Sequence, residues 1–350
     1  MDKKKFIIID GSSMLVTCYY ANLPEELKIA KEEEKELHYG KILQTSSGTY
    51  TNAVFGMLRI IKKLIKEQKP DYLCFCFDQT RKTFRTKIYP EYKGTRGKSP
   101  SPLIEQFLTM ENILKTLGFM VIYDTIYEAD DWAGSIAKKF ASDKISVSII
   151  TKDHDYLQLV DDNITVWMLQ ATANKANDMY ETYYKPDGIN VKDLNLPYRI
   201  FEYTEKYVKK LEGVYPCQIP DLKGIVGDTS DNIPGVKGVS SAAVPLLEEY
   251  ETVEGIYEAI YACNDDKKEL KKLQNTWKEY LGIKRSPLNA LMATSESEDN
   301  MVGEKAARCS KMLATIVTDI PIPFTLNDMP AKLDDAKFKE ICEKYEFKHI

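Results

Sequence analysis

Histidine is scarce in this chain: only His38, His154 and His349 occur in 350 residues, too far apart to suggest an imidazole-based metal site. Cysteine is unorganised. The seven thiols include no CxxC pair and are odd in number. That argues against a disulfide framework or a thiolate zinc site and for reduced thiols in a cytoplasm. No apolar run approaches the roughly eighteen residues that would mark a membrane span. The opening Met1-Asp2-Lys3-Lys4-Lys5 leads only into Phe6 to Ile9 before Asp10 intervenes, too short for a signal-peptide core. Excess positive charge is missing too, since the formal net charge is −5. That balance is informative only locally, because a carboxylate cluster can hold cations while basic segments elsewhere meet a polyanion. What is present is core-forming material: 43% of the residues are apolar, in a length sufficient for one large or two ordinary domains.

Short apolar runs rich in β-branched and aromatic residues predict strands at 5–10, 72–77, 119–123 and 146–150. Helical stripes at 51–66, 103–117 and 129–140 fill the gaps. This alternation predicts an α/β core over 1–180, with a mainly parallel sheet flanked by helices. From about 181 onward strand signals are rare, and helices are expected at 205–211, 242–250, 252–262, 267–281 and 304–314. The acidic, lysine-rich run 25–36 and the tyrosine-rich run 171–197 look like surface insertions, and 295–300 like a mobile loop.

Acids fall where such a sheet would gather them. Asp10 follows the first predicted strand and Asp78 the second; Glu128, Asp130 and Asp131 come shortly after the third, Asp153 and Asp155 just beyond the fourth. The carboxyl ends of parallel strands share one edge, where ligands bind. A single Asp after a strand is an ordinary cap or turn residue. Seven acids from four places are a different matter, because converging like charges repel unless cations resolve them. Oxygen ligands alone favour Mg²⁺ or Mn²⁺. Two such ions, about 3.5–4 Å apart in two-metal sites, suit in-line phosphodiester hydrolysis.

Two further stretches point to nucleic acid. In Gly227-Asp-Thr-Ser-Asp-Asn-Ile-Pro-Gly-Val-Lys-Gly238, the segment Gly235, Val236, Lys237 and Gly238 reads as a tight turn whose N–H groups point outward to phosphate. Asp228 and Asp231, three apart, would share a helical face. The stretch 81–98 interleaves Arg81, Lys82, Arg85, Lys87, Lys93, Arg96 and Lys98 with Phe84, Tyr89 and Tyr92. Cations grip phosphate and rings stack unpaired bases.

These residues carry a resemblance. Asp10-Gly-Ser-Ser13, Thr51-Asn-Ala-Val-Phe-Gly56, Phe77-Asp78, Thr83-Phe-Arg85, Tyr92-Lys93 with Arg96, Tyr127-Glu-Ala-Asp-Asp131, Asp153-His-Asp-Tyr-Leu-Gln-Leu159, Gly227 to Gly235, Leu313 to Asp319 and Lys344 to Lys348 occur in order along the chain. Together they resemble the 5′ nuclease family of 5′→3′ exonucleases and flap endonucleases, and within it the N-terminal nuclease domain of bacterial DNA polymerase I. The resemblance implies a PIN-like fold with a helical arch at about 80–117. It also implies a C-terminal helical region, 181–350, containing a helix-three-turn-helix motif at about 222–262. It implies a first metal among Asp10, Asp78, Glu128 and Asp130, and a second among Asp153, Asp155, Asp228 and Asp231, with Asp131 close by. Asp10 and Asp153 would be catalytic as ligands, and Lys93 and Arg96 would steer the scissile phosphate. Arg81, Arg85, Tyr89, Tyr92 and the 235–238 turn would contact DNA, with K⁺ at the turn.

The expected partner is DNA with 5′ ends, flaps or nicks, acted on by a cytoplasmic monomer in replication or repair. No polymerase region follows, so a stand-alone nuclease is expected. Two alternatives are a catalytically weak protein that binds branched DNA and a PIN-like ribonuclease. The family pattern is broken at Thr17, where arginine is usual, and at Lys152, where glycine is usual. Ser240 and Ala242 likewise replace a glycine and a lysine.

Overall fold

The computed structural model describes residues 3–295, 301–348 and 350. The apolar runs form a six-stranded sheet: β1 (Lys4–Asp10), β2 (Tyr72–Asp78), β3 (Met120–Asp124), β4 (Ile145–Thr151), β5 (Ile164–Leu169) and β6 (Ile200–Tyr203). Their spatial order is β3-β2-β1-β4-β5-β6. The first five run parallel and β6 is antiparallel to β5. Strand order reverses around β1, so a crevice opens between the ends of β1 and β4, the position at which open α/β sheets bind ligands.

Side chains alternate across β1. Ile7 and Ile9 face a core built with the helices Gly11–Ala21, Asn52–Gln68 and Ser101–Thr116. Phe6 and Ile8 face the helix Ala129–Phe140 and much of the C-terminal helical region. Burial on both faces explains why β1 reads as an uninterrupted apolar run.

Six strands replace the four expected. β5 carries the same apolar, β-branched signal as the others. β6 has only four residues, too few for a period to show, and lies in a segment expected to be helical. The tyrosine-rich run is also no mere surface insertion. Its helix, Ala173–Tyr183, buries Tyr180, and Tyr184 just beyond it is buried too. Their rings lie 5.1 and 5.5 Å from that of Phe201 on β6. The acidic run becomes a short helix, Glu25–Ile29, and a 3₁₀ segment, Glu32–Lys41.

Beyond β6 the chain is helical, including Ile219–Val226, Ser240–Tyr250, Val253–Tyr261 and Gly303–Ala314. The helix Asp335–Lys344 returns to the sheet and buries Phe338 and Ile341 in the core with Ile7 and Ile9. Thus two pieces of 181–350, β6 and this helix, pack with the α/β core. From position 296 onward, the loop expected at 295–300 lies outside the described residues.

Candidate active site

A cleft of about 1190 Å³ is lined by Asp10, Asp78, Glu128, Asp130, Asp153 and Asp228. The first four come from strand ends and the helix start beside them. Asp10 ends β1 and caps the helix Gly11–Ala21, accepting from Ser13 N at 2.9 Å and from the Thr151 hydroxyl at 2.7 Å. Gly11 lets that helix start directly against β2, since a Cβ there would overlap the Phe77 ring. Burial and the neighbouring Asp78 push Asp10 up to about 7. Asp78 accepts from Ala129 N at 3.0 Å. Glu128 caps the helix Ala129–Phe140 and accepts from the Thr83 hydroxyl at 3.0 Å and Lys93 Nζ at 2.6 Å. Burial drives Asp130 well above the usual carboxylate range; Arg85 opposes this, and Asp131 and Glu128 reinforce it.

The remaining two come from loops. Asp153 accepts from Asp155 N at 2.9 Å; burial raises its pKa against the pull of Lys223. Asp228 accepts from Lys223 Nζ and from the Ser230 N–H and hydroxyl, each at 2.7 Å. Burial works against its charge, but Lys223 and Ser230 prevail and hold it at about 2.

Three acids expected around the metals stand elsewhere. Asp131 is fully buried: Arg85 donates to its two oxygens at 2.7 Å each, Val317 N at 2.8 Å and Glu128 N at 3.0 Å. It fixes the start of its helix instead of facing the cleft. Asp155 is buried and pairs with Lys223. Asp231 is buried and turns to Arg96, Lys93 and the Tyr92 hydroxyl. Nor do Asp228 and Asp231 share a helix. Gly227, at φ 74°, ends the preceding helix, and paired Asp228–Ile233 backbone bonds of 2.9 and 2.8 Å close a loop.

Among the described residues no three Asp, Glu, His or Cys side chains are grouped so as to hold a metal ion. Lys93, Arg96 and Lys223 stand among the acids and take up part of their charge. The donor chemistry nevertheless fits hard divalent cations: seven carboxylates line the cleft, Glu111 in addition to the six above, without cysteine, and burial raises the pKa of Asp10, Asp130 and Asp153.

The basic stretch divides in two. Arg81, Lys93, Arg96 and Lys98 line the cleft. Burial opposes the charge of Lys93, but Glu128 and Asp231 outweigh it and raise the pKa. Arg85 does not reach a DNA surface: it is 1% exposed and clamps Asp131, Leu313 O and Thr315 O. Tyr92 is 4% exposed, its hydroxyl 3.2 Å from both Glu128 and Asp231, so it has no free face for a base. Tyr89 is half-buried against a small cluster containing Ile233 and Leu313. Residue type suggested stacking; the backbone turned the rings inward.

In the 235–238 turn, Gly235 N donates to the Ser310 hydroxyl at 2.9 Å and Val236 N to Ile225 O at 2.7 Å. Both residues are buried, so only Lys237 and Gly238 are exposed. Ala242 is 1% exposed and belongs to the core. Thr17 and Lys152, two departures from the family pattern, line the same cleft. Sequence reasoning missed Lys223. It lies on the helix Ile219–Val226, and nothing local marks it as the partner of Asp155 and Asp228.

Residues 5–189 match the family model of the 5′-3′ exonuclease N-terminal resolvase-like domain, and 214–337 that of the 5′-3′ exonuclease C-terminal SAM fold. The chain is 33% identical to a DNA polymerase I of Caldicellulosiruptor bescii over 99% of its own length and 33% of that protein's. It therefore spans about a third of the DNA polymerase I relative. It is 31% identical to a 5′-3′ exonuclease of Aquifex aeolicus, over 99% of this chain and 94% of that one. The D15 flap endonuclease of bacteriophage T5, solved with DNA and metal ions, shares the fold at TM-score 0.55 and 18% identity, covering 90% of each chain.

Proposed function

The chain belongs to the 5′-3′ exonuclease family, and from that premise we propose that it hydrolyses phosphodiester bonds at 5′ ends, flaps or nicks of DNA in replication or repair. One observation carries the reading: acids from strand ends and from the Asp228 loop line one cleft, with Lys93 Nζ 2.6 Å from Glu128.

Asp10, Asp78, Glu128 and Asp130 would hold one divalent ion, Mg²⁺ or Mn²⁺, and Asp153 and Asp228 a second. Asp155 and Asp231 would support from behind. Bound there, such ions supply charge neutralisation and water activation for in-line displacement. Lys93 and Arg96 orient the scissile phosphate, and Lys93 meets the charge that develops on it. Val16, Ile104, Phe107 and Leu108 give the same cleft an apolar wall, which excludes water beside sugar and base. Arg81, Lys152, Lys237 and Gly238 serve as backbone contacts. K⁺ at the 235–238 turn is the matching expectation for duplex binding, tested by the K⁺ dependence of duplex affinity. The cytoplasm is the proposed location, supported by seven free thiols, and a monomer the proposed state.

The test is incubation with 5′-labelled flap, nicked and single-stranded DNA in Mg²⁺, Mn²⁺ or EDTA. Cleavage near the 5′ junction in either metal and none in EDTA is expected. Tight flap binding without cleavage in either metal would instead identify a branched-DNA-binding protein, and cleavage of RNA alone a ribonuclease.

A further inference from the structure

Lys93 sits in a turn in which Gly94 N donates to Glu91 O at 2.8 Å, and its backbone is left-handed, with φ 54°. That conformation is uncommon for a lysine and is favoured by outside support. The support comes from far along the chain. Asn232 Nδ2 donates to the same Glu91 carbonyl at 2.8 Å. Lys93 N donates to Asp231 O at 2.8 Å, and Arg96 Nε to Ser230 O at 3.2 Å. Residues 91–96 are therefore stitched along their length to residues 230–232. Asn232 is itself left-handed, φ 56°, a conformation asparagine tolerates better than most residues. The cleft lining includes Ser230 but not Asn232.

We propose that Asn232 is a positioning residue for the reaction: its side-chain amide fixes the turn that presents the Lys93 ammonium to the scissile phosphate. The inference rests on the reading of Lys93 as the phosphate-facing cation. A cation that must meet developing charge is sensitive to small displacements, so loosening its turn lowers the rate of the bound complex more than it lowers affinity.

The test uses Asn232→Gly, which keeps the left-handed backbone and deletes the amide. Asn232→Asp keeps the shape and replaces the donor with an acceptor. Single-turnover cleavage of a 5′ flap is measured in Mg²⁺, and Kd for the same flap in Ca²⁺, with and without Lys93→Ala. Both variants are expected to slow single-turnover cleavage about tenfold or more, with Kd held within about twofold. In the Lys93→Ala background the loss should shrink severalfold, with only the part that passes through Arg96 on the same segment remaining. An equal loss in both backgrounds, or an unchanged rate in Asn232→Gly, overturns the role of Asn232 and leaves Lys93 in place. An unchanged rate in Lys93→Ala alone overturns the reading of Lys93 and this inference with it.

Discussion

The two walls of the cleft hold their acids by opposite means. On the strand-edge wall, Asp10 and Asp78 are fixed by N–H and hydroxyl donors, and Asp10 is driven up to about 7. On the loop wall, Lys223 pairs with Asp155 and Asp228, and Asp228 is held at about 2. Asp10 and Asp78 keep their repulsion although Lys93 pairs with Glu128 beside them, whereas Asp155 and Asp228 share a built-in ammonium. A site designed only for stability would compensate every acid; the Asp10–Asp78 pair, left without an ammonium, is suited to an external cation.

The contrast breaks most severely if Asp10 proves dispensable. Asp10→Asn is expected to lower cleavage by at least about 10³-fold, since on the proposed assignment it removes a charged ligand of the divalent ion. Without metal it should stabilise the fold. The carboxyl rises from 3.8 to about 7 on folding, so its contribution is present at low pH and lost as pH climbs through that window. Melting in EDTA at pH 5 and pH 8 should therefore show the variant gaining on the parent at the higher pH. An equal gain over the parent at both values would remove the idea of an uncompensated Asp10–Asp78 pair.

Arg85→Met comes next. It strands the buried Asp131 and should cost roughly 3–5 kcal/mol in urea unfolding, while leaving the salt dependence of DNA binding unchanged. Intact stability with a flatter salt slope would restore Arg85 as a phosphate contact. Lys223→Met sharpens the comparison from the other side. Metal-free stability should fall by roughly 1–3 kcal/mol, and added Mg²⁺ should raise Tm more than it does in the parent. A metal-induced shift no larger than the parent's would show that Lys223 does not stand in for a cation. The smallest effect is expected at Lys152, where substitution by glycine should flatten the slope of log affinity against log salt by about 0.9 unit. No change there would mean that Lys152, although it lines the cleft, makes no phosphate contact.

The strand-edge wall was legible in the sequence because it follows from topology. Once β1 and β2 are recognised as parallel, Asp10 and Asp78 at their ends must approach one edge, whatever the rest of the chain does. The loop wall was only half legible. Asp228 could be named, but Lys223, which sets its charge state, sits on a helix with no local signal. Direction was the other gap. Arg85 and Tyr92 have the chemistry of DNA contacts, yet whether a side chain points out or in depends on partners such as Asp131 and Leu313 O, which lie 46 and 228 residues away. Short β6 failed for a third reason, since four residues carry too little pattern to read.

Asp10 is at once the last residue of β1 and the cap of the following helix, so strand and helix meet with no residue between them. A junction of zero length has no slack. Deleting one residue upstream within β1 would exchange the sides of Ile7 and Phe6 or draw the acid back from the edge, and inserting one after Asp10 would uncouple it from Ser13. The 3₁₀ segment Glu32–Lys41, where the acidic run ends, buries none of its residues and can vary in length at the surface. Across variants of this chain, then, length changes should collect in that segment and be absent at the joint between Ile9 and Gly11.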